Sequence, residues 1–131
     1  MFHVPQMMVK IMRIINLTSV PIRVETSRGI REYPVSGNIL KLDTLDETVE
    51  FVGEEIPIIR KVFFEPESLP PIEKGTYYIV PNQVMSILNR PDFISPDTKT
   101  SHGARRDPSN GMVVSVRQFR VRDELRHDPL T

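Results

Sequence analysis

The chain has 131 residues, seventeen basic and seventeen acidic, for a formal net charge of zero, with twelve prolines and no cysteine. That length suffices for one core without help from a metal or a disulfide, and the missing cysteine excludes a disulfide scaffold, a thiolate metal site and a cysteine nucleophile. Balanced charge supplies no global field to hold polymeric DNA or RNA, no apolar run approaches the about 20 residues that span a bilayer, and the expected setting is cytoplasmic.

Residues 1–10 read as a flexible leader, with Met1, Met7, Met8 and Met12 as alternative starts. Residues 11–121 read as a single globular domain and 122–131 as a flexible tail. Ile11 to Leu17 carries apolar residues on both parities, as a strand buried on two sides does. Ile22, Val24 and Thr26 alternate with Arg23 and Glu25, the pattern of a strand with one wet face. Ser27-Arg28-Gly29 forms a hairpin turn into Ile30 to Tyr33, and Ser36-Gly37-Asn38 a second turn before a strand over Ile39 to Leu42. Thr48 to Val52 alternates with Val49 and Phe51 expected inward, and Gly53-Glu54-Glu55 turns the chain into the apolar run Ile56 to Phe64.

Pro66, Pro70 and Pro71 make Glu65 to Gly75 a covering loop. No charged residue occurs between Lys74 and Arg90, so this stretch is expected to be shielded from water. It holds a strand, Thr76 to Val80, and a helix over about Asn82 to Asn89 with Val84, Ile87 and Leu88 as its buried face. Arg90-Pro91 ends the helix. Asp92 to Gly111 reads as one long loop, and loops of that length are commonly functional or disordered. Met112, Val114 and Val116 alternate as a strand, and a bulge near Arg117-Gln118 would bring Phe119 and Val121 onto the same face. The expected fold is mostly β (α+β): a twisted antiparallel sheet or partly open small barrel with one short helix.

Asn16-Leu17-Thr18-Ser19-Val20-Pro21-Ile22, Ser68-Leu69-Pro70, Gly75-Thr76-Tyr77-Tyr78-Ile79-Val80, Arg90 through Thr98, Arg106-Asp107, Asn110-Gly111 and Met112 to Phe119 together carry a resemblance. The chain resembles a family of small phage and bacterial proteins with the pattern NLTPHPV, GLPxPxxGTxYIVS, RxDVxxPDT and VRDxxGxIxGVxxF. Val20 stands where that pattern has histidine, and Pro81 where it has serine. By analogy of size and setting, the resemblance implies a nucleotide-handling protein that binds or cleaves a small cyclic or linear oligonucleotide, as ring nucleases and cyclic-nucleotide sponges do.

The residues offer matching chemistry. Arg90, Lys99, Arg105 and Arg106 supply cations for a phosphate, the helix start at Asn82 supplies N–H groups, and His102 is the candidate acid or base of a metal-independent cleavage. No metal and no cofactor is called for. Each residue also has a plainer reading: Arg90 as the ion-pair partner of Asp92, Arg105 and Arg106 as a solvated loop face, His102 as an exposed loop residue, and Asp92, Asp97 and Asp107 as turn caps. His3 and His127 lie in the expected tails. The uncharged helix side, Asn82, Gln83, Ser86 and Asn89, suits a homodimer contact. The competing function is therefore a non-enzymatic oligomeric or virion-associated interaction module, or an inhibitor of a host enzyme.

Overall fold

β-Branched and aromatic residues punctuated by glycine and proline favour short strands, and strands dominate the computed structural model, which describes residues 13–100 and 102–127. The described residues form a mostly-β α+β fold of ten strands and one short helix. They fall into two compact units, a body comprising residues 13–40, 72–100 and 102–127, and an arm, Lys41–Pro71. The single domain expected over residues 11–121 thus carries a separate 31-residue unit within it.

The first body sheet has the order β1-β6-β7-β10, with β1 Arg13–Asn16, β6 Thr76–Ile79, β7 Phe93–Pro96 and β10 Phe119–Arg120. β1, β6 and β7 run parallel, and β10 is antiparallel to β7. Parallel neighbours need a crossover connection, and helix α1, Asn82–Ile87, lies in the one between β6 and β7. Ile79, Val80 and Phe93 are fully buried, which explains the lack of charge over Thr76 to Val80: the middle strands lie between covered faces.

The second body sheet has the order β3-β2-β9-β8, with β2 Ile22–Thr26, β3 Gly29–Tyr33, β8 Ala104–Arg106 and β9 Val113–Val116. β2 and β3 form the expected hairpin, where Gly29 takes the left-handed backbone that the turn requires. β2 also pairs with β9, in parallel. An edge-to-face contact of the Tyr33 and Phe119 rings, 5.9 Å between centroids, joins β3 of this sheet to β10 of the first.

The arm is one antiparallel hairpin, β4 Thr44–Val52 and β5 Ile56–Phe63. Gly53, with a φ of 62°, turns it, and a bulge interrupts the register between Thr48 and Glu50.

Several expectations are corrected. The expected β-rich α+β class stands, but the two body sheets are mixed rather than wholly antiparallel, because strands distant in sequence pair in parallel in both, and none of the sheets closes into a barrel. Ile39 to Leu42 is not a strand; the Leu40 N–H donates to Leu17 O and its side chain is buried. Val49 and Phe51 are exposed rather than inward. The supposed loop from Asp92 to Gly111 contains β7 and β8. The parity change at Arg117-Gln118 is not a bulge within one sheet but the step by which the chain passes from β9 in one sheet to β10 in the other. In the helix the buried side chains are Val84 and Met85, whereas Ile87 is exposed. The leader, His3 and the candidate starts up to Met12 lie outside the described residues.

Candidate functional site

Asp97, at the end of β7, organises the segment to which the sequence pointed. Its carboxylate is fully buried and accepts hydrogen bonds from the Thr100 hydroxyl at 2.6 Å, the Gln118 side-chain amide at 2.6 Å and the backbone N–H groups of Lys99 and Thr100 at 3.1 and 3.2 Å. Its own N–H donates to Gln118 O, which ties β7 to the entry of β10. Bonding to the charged form, first from Thr100 and then from Gln118, outweighs burial and holds the Asp97 pKa far below the usual carboxylate range. Gly103 packs directly on this residue: a Cβ there would lie 2.5 Å from the Asp97 carboxyl and 2.7 Å from its carbonyl oxygen.

A second, smaller knot follows. Asp107 accepts bonds from the hydroxyl and N–H of Ser109, which lower its pKa, and the Gly111 N–H donates to Asp107 O at 2.7 Å. Both aspartates, expected as turn caps, organise turns.

The three arginines among the expected ligand-binding cations are each engaged within the chain. Arg90 forms a bidentate pair with Asp92, Nε to Oδ1 at 2.8 Å and Nη2 to Oδ2 at 2.7 Å, and both side chains are nearly buried. The guanidinium also stacks 4.4 Å from the Phe93 ring centre, and the bond to Asp92 raises its pKa. Arg105 pairs with Glu25 at 3.2 Å, a carboxylate that Arg117 shares at 3.6 Å. Arg106 donates to two carbonyl oxygens, Gly111 at 2.9 Å and Thr98 at 3.0 Å. These are three separate sets of partners.

Lys99 is exposed and uses its backbone N–H on Asp97. His102 is exposed, and its carbonyl oxygen accepts from Arg117. Asn82 opens a helix of six residues, in which the Ser86 hydroxyl donates to Asn82 O. Among the described residues no group of three or more His, Cys, Asp or Glu side chains is placed to hold a metal ion.

Reasoning from sequence did not single out Glu25, Gln118, Gly103 or Ser115. The Asp97-x-x-Thr100 spacing is the available signal for the first knot, since an aspartate that accepts bonds from residues two and three positions ahead forms a local turn. No local signal marks Gln118, because its bond to Asp97 spans 21 residues. Ser115 lines a cleft of about 240 Å³ with Ile22, Arg23, Pro96 and Val114. Its buried hydroxyl is the one buried side-chain group among the described residues without a hydrogen-bond partner. Asn16, in the Asn-Leu-Thr stretch, is fully used: its amide donates to Val20 O and Tyr33 O, and its oxygen accepts from the Thr18 N–H and hydroxyl.

The arm presents the opposite chemistry. Near its tip Val49, Phe51, Val52, Ile56, Ile58 and Ile59 are between 42% and 60% exposed. From the strand register, Ile59 and Phe51 lie on one face and Ile58, Val52 and Ile56 on the other. The charged pairs sit lower in the hairpin, with Asp46 opposite Lys61 and Glu47 opposite Arg60, the latter bonded at 2.9 Å.

No family model, no curated protein and no solved structure matches this chain. Among the described residues no helix is long and apolar enough to cross a membrane.

Proposed function

We propose that the chain is a non-enzymatic, self-assembling interaction module that acts by joining further copies through its arm. The observation that carries this reading is the cluster of six exposed apolar side chains at the hairpin tip. A two-stranded hairpin is at best marginally stable alone in water, and apolar residues on both of its faces leave neither face suited to solvent. Complete burial of a side chain of this size contributes about 1.5–3 kcal/mol. With about half of each surface still exposed, six such groups give about 5–9 kcal/mol, of the same order as the about 4–15 kcal/mol that association costs.

The candidate arginines support the same reading from the other side. Binding of an oligonucleotide by Arg90, Arg105 and Arg106 would first have to release two ion pairs and two carbonyl bonds. A rise in melting temperature with cyclic or linear oligoadenylate would favour that nucleotide-handling role instead.

Sedimentation velocity at micromolar concentration tests the proposal. The wild-type chain is expected to run as an oligomer, and the triple variant Phe51→Ser, Ile56→Ser, Ile58→Ser as a monomer. A monomeric wild type overturns the reading. A dimer through the uncharged helix side is the rival arrangement, and it would be lost in Gln83→Lys, Asn89→Lys but retained in the triple arm variant.

A further inference from the structure

We propose that the copies join head to tail, the outer edge of β4 on one arm pairing with the outer edge of β5 on the next. This rests on the self-assembly reading above and specifies its geometry. Within the two-stranded sheet each strand has one edge against its partner and one edge with no strand beside it among the described residues. Such an edge is a row of unpaired N–H and C=O groups, a template for another strand.

The charges distinguish the two edges. β4 carries Asp46, Glu47 and Glu50 and no cation, whereas β5 carries Arg60 and Lys61 and no carboxylate. Pairing β4 with a second β4 about a two-fold axis sets carboxylates against carboxylates, and pairing β5 with β5 sets cations against cations; like charges in opposed positions destabilise a sheet. Pairing β4 with the next copy's β5 repeats outside the hairpin the register found inside it, Asp46 opposite Lys61 and Glu47 opposite Arg60.

The bulge between Thr48 and Glu50 interrupts regular pairing further out. The charged base therefore sets the register, and the apolar tips are brought side by side, where Phe51 and Val52 of one arm bury against Ile56, Ile58 and Ile59 of the next. A contact between unlike edges does not terminate at two copies. It continues to a ring where the rotation closes and to a filament where it does not.

The test exchanges the charges while preserving the pairing within each hairpin. The swap variant Asp46→Lys, Glu47→Arg, Arg60→Glu, Lys61→Asp is expected to assemble with itself. When it is mixed with wild type and the subunits are allowed to exchange, native mass spectrometry should find mixed oligomers at less than about one-tenth of their statistical share, since each mixed contact opposes like charges. Two single variants give a second readout that does not depend on the swap variant folding. Glu47→Arg and Arg60→Glu should each fail to assemble alone, and their equimolar mixture should assemble. Mixed oligomers of wild type and swap variant at statistical share or above, or single variants that assemble unaided, overturn the head-to-tail arrangement while leaving self-assembly standing. A monomeric wild type overturns both.

Discussion

The body and the arm distribute the same residue types in opposite ways. In the body, polar groups go inside and, the Ser115 hydroxyl apart, are satisfied there: Asn16, Ser95 and Asp97 are buried, with Asn16 and Asp97 each in four side-chain hydrogen bonds and the Ser95 hydroxyl donating to Val80 O. In the arm, large apolar groups lie outside, while the charges pair across the strands near the base. Buried polar groups that have all their partners specify a single arrangement, because any other leaves them desolvated and unbonded. Exposed apolar groups specify nothing until something covers them. Under the proposed function, association falls to the arm rather than to the body.

The largest expected effect lies in the body. Asp97→Ala removes the acceptor of four hydrogen bonds and strands the Gln118 amide, and it should give the deepest fall in melting temperature of any substitution considered; an unchanged melting curve would break the contrast. Gly103→Ala forces a Cβ against the Asp97 carboxyl and carbonyl, and overpacking of this kind costs about 1–3 kcal/mol, measurable by denaturant unfolding.

Acid should sharpen the same point. The pKa values of Asp97 and Asp107 are depressed in the folded state, so their contribution to stability is fully present above the ordinary carboxylate value of about 4 and is lost as pH falls through the folded values. Unfolding midpoints should therefore fall as pH drops below about 4, and Asp97→Asn should flatten that dependence. A profile that Asp97→Asn leaves unaltered would remove Asp97 as its origin.

Smaller effects separate the arginines. Arg106→Ala loses two bonds to carbonyl oxygens and should cost about 1–2 kcal/mol, whereas Arg105→Ala loses one surface ion pair and should cost less than about 1 kcal/mol. Equal costs would show that the carbonyl ties of Arg106 add nothing. The smallest effect on folding should come from the arm: the triple serine variant at Phe51, Ile56 and Ile58 should shift the body's stability by under about 0.5 kcal/mol. A large shift there would show that the arm's apolar residues serve the fold.

The fold class, the β2–β3 hairpin turn, the turn at Gly53 and the shielded strand from Thr76 to Val80 were legible in the sequence; the uncharged helix side after it, Gln83, Ser86 and Asn89, is exposed. Each depends on local chemistry: alternation, glycine in the left-handed region, or a run without charge. Strand neighbours were not legible. The pairings of β1 with β6 and of β2 with β9 join segments about 60 and 90 residues apart, and period-two alternation says that a strand has two unlike faces without saying which strand lies beside it. The same ambiguity misplaced Val49 and Phe51, whose pattern is that of an inward face whether or not a core lies against it.

At the candidate site, the sequence by itself determined which titratable residues lie close along the chain. The tertiary structure decided what they do. Arg90 had its partner two residues away and was legible as an ion pair, but Arg105 meets Glu25 across 80 residues and Asp97 meets Gln118 across 21. A charge neutralised from so far along the chain looks, in sequence, the same as one left available for a ligand.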